Sequence, residues 1–111
     1  MSFICVAWNN GSQSESGAGY GLKISVADRD KHFSRSWRSV VIELPIDRGI
    51  IEVEVNVSKQ SFWSKSCREL INKQIGQWLQ RKALAPWPRG KPPRFSMSPV
   101  GPRRFRVSIV P

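Results

Sequence analysis

The chain has 111 residues and a net charge of +10, from 18 Lys and Arg against 8 Asp and Glu. This length is typical of one domain, expected to comprise residues 1–111, and a hydrophobic share of 40% excludes wholesale disorder. Two Cys and one His exclude a disulfide framework and a four-ligand zinc site, so we expect no metal and no cofactor.

The amino-terminal part predicts two strands joined by a loop. Residues 3–8 form an apolar run that indicates a buried strand, and this run is too short for a signal segment or a bilayer span. We therefore expect a cytoplasmic protein with no membrane contact. Residues 12–19 are small and polar, which predicts a flexible loop, and residues 20–26 alternate as a half-buried strand does.

Residues 28–37 are charged apart from two aromatic anchors. Phe33 and Trp37 are four positions apart, so a single helical turn would point both side chains inward.

A hairpin is the firmest β pattern in the chain. Branched residues recur in residues 40–44 and in residues 51–57, with Glu43, Glu52 and Glu54 on the other side of the pattern. This alternation predicts one face on the core and one acidic face in water.

The period changes to that of a helix after Ser58. The pattern predicts an amphipathic helix over about residues 61–84, which must end before Pro86. Its apolar stripe comprises Trp63, Cys67, Leu70, Ile71, Ile75, Trp78 and Leu79. Beyond it we expect an extended connector at 87–93, a short strand at 94–97, a turn at 98–102 and a last strand at 105–109.

Together these elements predict an α+β fold in a single domain. We expect an antiparallel sheet of about five to six strands with the helix packed on one face. The other face would be solvated or used for self-association. An edge strand near either terminus would make the chain suited to form a homodimer.

The charge is distributed unevenly along the chain. Residues 1–58 carry six cations and seven carboxylates, whereas residues 59–111 carry twelve cations and Glu69 alone. A field of one sign attracts polyanions or acidic protein surfaces. The carboxy-terminal half is therefore where we expect a partner to bind.

The candidate binding residues lie in what we call the basic segment, residues 81–106. Cations spaced along a chain suit phosphates, and interleaved aromatic rings suit unstacked bases. The pattern therefore favours a non-enzymatic protein that binds RNA or single-stranded DNA. The predicted contact residues are Arg81, Lys82, Trp87, Arg89, Lys91, Arg94, Arg103, Arg104 and Arg106.

Two other interpretations stay open at this point. The same cations would dock an acidic protein partner, as in an accessory subunit. A remote alternative is a metal-dependent hydrolase or nuclease that uses Asp28, Asp30 and His32 together with Glu43. Local pairing with Arg29 and Lys31 explains the two Asp residues more simply.

Overall fold

A computed structural model describes residues 1–110 as seven strands, two α-helices and one 3-10 turn. The strands are β1 Phe3–Asn9, β2 Tyr20–Lys23, β3 Ser39–Ile46, β4 Gly49–Asn56, β5 Glu69–Ile71, β6 Arg94–Gly101 and β7 Arg104–Ile109. The helices are α1 Val26–His32 and α2 Lys73–Arg81, and the 3-10 turn is Gln60–Trp63. Neither helix is long and apolar enough to cross a membrane, within the residues described.

The strands form one mixed sheet in the order β4-β3-β7-β6-β1-β2-β5. Every neighbouring pair is antiparallel except β3 and β7, which run parallel and place Glu43 opposite Arg106. The sheet curls until its two edges meet, where the Asn72 side-chain amide donates to the Glu54 carbonyl at 2.8 Å. The result is a nearly closed barrel.

The predicted α+β class is therefore correct at the coarse level. The predicted number of strands and the prediction of a wholly antiparallel sheet are wrong. The extra strand is β5, whose three residues are too few to show a period of two. The expected turn at 98–102 belongs mostly to β6, where a register shift between Pro99 and Gly101 interrupts the pattern of a regular strand. The hairpin at 40–57 is confirmed as β3 and β4.

The helix predicted over 61–84 is confirmed only over residues 73–81, which form α2, because the 3-10 turn and β5 occupy the first half of that stretch. Leu70 lies in β5 and pairs across to Leu22 of β2, so tertiary strand pairing overrides the helical period there. Helix α2 begins only after Asn72, whose side chain accepts a hydrogen bond from the Gln74 N–H at 2.8 Å. It ends before Ala83, whose φ of 58° is left-handed.

The strand predicted at 20–26 ends at Lys23, because Ser25 begins helix α1. The Ser25 hydroxyl accepts from the Asp28 N–H at 3.1 Å and so caps the first turn. Phe33 follows the helix and is buried, and the ring of Trp37 lies 6.2 Å from it. Both aromatic anchors pack in or against the core as expected, but the helical turn expected to carry them is wrong, because Phe33 is extended and Trp37 lies beyond the end of α1.

The two helices close the two ends of the barrel. At the α2 end, buried Trp78 lies 5.3 Å from the ring of Phe95 and donates its indole N–H to the Pro45 carbonyl at 2.6 Å. At the α1 end, Phe33 stacks on Phe105 with ring centroids 4.6 Å apart. The interior of the barrel is therefore filled with side chains.

The loop at 12–19, expected to be flexible, is attached to α2. The side-chain amides of Gln77 and Gln80 donate to the carbonyls of Ser16 and Ser14 at 3.0 and 3.1 Å. The backbone of Gly17 approaches Gly76 so closely that a Cβ on Gly76 would clash with the Gly17 carbonyl. This contact requires glycine at position 76.

The terminal strands do not lie at the edges of the sheet. β1 lies between β6 and β2, and β7 lies between β3 and β6. The edges are β4 and β5, and these face each other across the seam of the barrel. The expected basis for a homodimer, an exposed terminal edge strand, is therefore wrong.

Candidate nucleic-acid interface

The fold divides the predicted contact residues over three parts of the surface. The connector and the ends of α2 and β6 place the first group at the α2 end, the turn between β6 and β7 holds one residue at the α1 end, and β7 holds two on the outer face of the sheet. The three groups are Arg81, Lys82, Trp87, Arg89, Lys91 and Arg94 at the α2 end, Arg103 at the α1 end, and Arg104 and Arg106 on the outer face.

The connector and residues 82–86, which join it to α2, are fixed to the α2 end by their backbone. Leu84 and Ala85 both donate their N–H groups to the Leu79 carbonyl, at 2.8 and 3.2 Å. Further along, the Pro93 carbonyl accepts from the Ala7 N–H at 2.9 Å, next to the start of β6. These bonds explain why cations that are distant in sequence share one end of the barrel.

Most of the cations at the α2 end are free. The side chains of Arg81, Arg89, Lys91 and Arg94 are exposed, and none of them forms an ion pair with any residue between 1 and 110. Lys82 differs, because its ammonium lies 3.6 Å from the carboxylate of Asp47. Within residues 1–110, this end of the molecule therefore presents cations without carboxylate partners to solvent.

A cavity of about 350 Å³ opens at this end between the β3–β4 turn and the last turn of α2. The carboxyl end of a helix repels anions, so attraction here depends on the side chains. Arg48 belongs to this group and was missed from the sequence, because it comes from the half of the chain with no excess charge. The lining residues are Ile46, Asp47, Arg48, Trp78, Arg81 and Lys82.

On the outer face, the arginines are paired with the hairpin. Glu43 accepts from Arg104 Nη1 at 2.9 Å and from Arg106 Nε at 2.7 Å, and Arg104 also pairs with Glu52. The two arginines cover Glu43, which is only 4% exposed. The expectation of an acidic face in water is wrong at Glu43, because the parallel pairing of β3 with β7 brings cations beside it.

The protonation states follow from this arrangement. Burial by itself raises the pKa of Glu43, but the hydrogen bonds and charges of Arg106 and Arg104 outweigh it, so that the pKa lies below its ordinary value. Glu52 and Glu43 in turn raise the pKa of Arg104. Glu43 is ionised at neutral pH and offsets much of the charge of β7.

The aromatic residues of the basic segment offer little free ring surface. Phe95 and Phe105 are buried in the core. Trp87 is half-buried, with its ring 5.9 Å from that of Tyr20 in an edge-on arrangement. This surface therefore offers side chains that can contact phosphates, but few exposed rings on which bases can stack.

The acidic residues near α1 have structural partners. Asp28 accepts from the Ser25 hydroxyl at 2.8 Å, Asp30 pairs with Arg29 at 3.0 Å, and the His32 ring stacks on Phe3 at 4.5 Å. No group of three or more His, Cys, Asp or Glu side chains suited to a metal ion occurs in residues 1–110. These contacts leave the nuclease alternative without an assembled site in that part of the chain.

The two cysteines are free and lie apart. Burial raises the pKa of the Cys5 thiol to about 12, so it stays protonated in β1. Cys67 is half-buried between the 3-10 turn and β5. The sequence placed it on the apolar stripe of a helix, and that prediction is wrong.

Comparison with known proteins gives no match at any of three levels: no family model, no curated protein and no solved structure matches this chain.

Proposed function

We propose that this protein binds RNA or single-stranded DNA without catalysing a reaction, and that the α2 end is its main contact surface. The observation that carries the proposal is the group of exposed cations that lack carboxylate partners among residues 1–110. Phosphate groups would replace the counterions that such a surface holds in their absence. The proposed contact residues are Arg48, Arg81, Arg89, Lys91 and Arg94.

The connector supports this proposal through its shape. Arg89 and Lys91 flank Gly90, whose φ of 77° turns the chain, and the Lys91 N–H closes the turn onto the Pro88 carbonyl at 2.9 Å. Two cations thus project from a fixed turn, which reduces the entropy lost when a phosphate is bound. The proposal retains a cytoplasmic location, where the free thiols of Cys5 and Cys67 would be stable.

A titration against salt tests the proposal. A fluorescein-labelled oligouridine of about 16 nucleotides is mixed with the protein, and anisotropy is recorded from about 50 to 200 mM salt. We expect the logarithm of the association constant to fall linearly with the logarithm of salt, by about 0.7 per phosphate contact. Absence of binding at the lowest salt, or binding that does not respond to salt, contradicts the proposal.

An acidic protein partner is the competing interpretation, and a second measurement distinguishes it. The protein is purified with and without a high-salt wash, and its absorbance ratio at 260 and 280 nm is compared. Nucleic acid that leaves with salt supports the proposal. A single acidic protein that stays bound after nuclease treatment favours the alternative.

A further inference from the structure

A second cleft lies at the α1 end, on the side of the barrel opposite α2. It has a volume of about 530 Å³ and lies between the start of β3 and the turn that joins β6 to β7. The Val41 N–H donates to the Arg103 carbonyl at 2.8 Å and fixes this turn against β3. Its lining residues are Arg38, Ser39, Val40, Val41, Glu54, Pro102, Arg103 and Arg104.

Arg103 has an unfavourable backbone conformation for its residue type. Its φ of 53° lies in the left-handed region, which glycine adopts without steric cost and which other residues adopt at a cost of about 1 kcal/mol or more. Strained residues of this kind concentrate at binding sites. An arginine at this position places an exposed guanidinium beside the cleft.

Arg38 supplies the second free charge of the cleft. Its carbonyl accepts from the Val57 N–H at 3.0 Å, which fixes the backbone just before β3. The side chains of Arg38 and Arg103 are exposed and form no ion pair with another residue in the described range 1–110. Sixty-odd residues separate these two positions in the chain, so sequence alone does not bring them together.

Two further charged groups line the cleft. Arg104 pairs with Glu43 and Glu52, whereas Glu54 is exposed and accepts only from the neutral Ser39 hydroxyl, at 2.9 Å. Among residues 1–110, the charges of the cleft without an ion-pair partner are thus the two cations Arg38 and Arg103 and the one carboxylate of Glu54, which leaves an excess of positive charge. Two guanidinium groups offer several N–H donors to the unbridged oxygens of one phosphate.

We propose that this cleft binds a phosphate of the same nucleic-acid strand that the α2 end binds. This inference rests on the proposed function. The path between the two sites runs along the outer face of β6 and β7. Neither strand contains Asp or Glu, and the hairpin carboxylates beside β7, Glu43 and Glu52, are offset by Arg104 and Arg106. Ser96, Ser98 and Ser108 lie on that face and provide hydroxyl donors along the path.

The length of β6 sets the distance that the strand must cover. β6 has eight residues from the α2 end to the turn, and the seven steps between its first and last residue, at a rise of about 3.3 Å each, extend for about 23 Å. An oligonucleotide of about four nucleotides is therefore expected to occupy the α2 end alone, whereas one of about 16 reaches the cleft. Binding at the cleft should then depend on the length of the oligonucleotide.

Arg103→Gly is the informative variant, because glycine relieves the backbone strain while it removes the charge. Labelled oligouridines of about four and about 16 nucleotides are titrated with wild-type protein, with Arg103→Gly and with Arg38→Gln. Lys65→Gln serves as the matched control, since Lys65 is exposed and lies outside the cleft. Thermal unfolding confirms that each variant is folded.

We expect both cleft variants to lower the affinity for the longer oligonucleotide by about three- to tenfold and to leave the affinity for the shorter one unchanged. Lys65→Gln should affect neither by more than about twofold. Equal losses of affinity for both lengths, or losses no larger than those of Lys65→Gln, would overturn the proposal that the cleft binds phosphate. The proposal that the α2 end binds nucleic acid would be unaffected. If wild-type protein binds neither oligonucleotide, the proposed function itself fails.

Discussion

The α2 end and the outer face of β7 carry the same kind of residue in opposite electrostatic states. Arg89 and Arg94 at the α2 end are exposed and unpaired within residues 1–110, whereas Arg104 and Arg106 are held by Glu43. All four belong to one basic stretch of sequence. A count of charges along a chain therefore overstates the charge that a partner meets, because carboxylates from distant segments pair with part of it.

The first prediction tests this contrast directly and concerns the largest effect. The triple variant Arg89→Gln, Lys91→Gln, Arg94→Gln should reduce the salt slope of oligouridine binding by about 2, since each lost phosphate contact is worth about 0.7. The single variant Arg106→Gln should leave the slope nearly unchanged, because its charge is already offset by Glu43. A slope that responds more to Arg106→Gln than to the triple variant would reverse the roles of the two surfaces.

The second prediction concerns the packing that shapes the α2 end. Gly76→Ala should lower the free energy of unfolding by about 1 to 3 kcal/mol, because the new methyl group clashes with the Gly17 backbone. Urea unfolding measures the change. Gly101→Ala is the control, since a Cβ there meets nothing closer than the Arg104 side chain at 3.9 Å. Equal stability of the two variants would show that the 12–19 loop is not attached to α2.

The third prediction concerns the outer face. Glu43→Gln should lower the free energy of unfolding by about 2 kcal/mol, because two arginines lose a buried charged acceptor. It should also raise the affinity for oligouridine, since Arg106 becomes available to phosphate, whereas Arg104 stays paired with Glu52. Glu15→Gln, at an exposed loop position, should change stability by less than about 0.5 kcal/mol. A stable Glu43→Gln variant with unchanged affinity would contradict the pairing.

The fourth and smallest effect is the pH dependence of that pairing. The pKa of Glu43 in the folded protein lies below its ordinary value of 4.5, so its contribution to stability is complete above the ordinary value. It is lost as the pH falls through the lower, folded-state pKa. The stability difference between wild type and Glu43→Gln should therefore be constant near neutrality and shrink in acid. A difference that grows on acidification would contradict this sign.

Local pattern predicted the elements whose partners are close in sequence. The β3–β4 hairpin follows from alternation over residues 40–57, and its strands pair with each other across a short turn. The last strand, β7, also shows its period plainly. Burial of Phe33, Trp78 and Cys5 was likewise evident, because apolar side chains in periodic segments have few alternatives to the core.

The failures occurred where long-range pairing decided the structure. The sequence around Leu70 has a helical period, yet it forms a strand because β2 offers an edge with Leu22 opposite. Glu43 was expected in water, yet it is buried because β7 returns parallel to β3. The local sequence does not indicate that β5 pairs with β2 or that β3 pairs with β7, since strand order is a property of the whole sheet.

The candidate site shows the same division. The sequence by itself determined that the carboxy-terminal half is strongly basic and that residues 40–57 form an acidic-faced hairpin, because both are properties of side chains and local period. Only the tertiary structure decided which cations remain free, since the curl of the sheet places Arg104 and Arg106 against Glu43 and leaves the connector at the α2 end. Ion pairs form between side chains that are close in space, whatever their separation along the chain. The fold therefore determines which charges remain exposed at the surface.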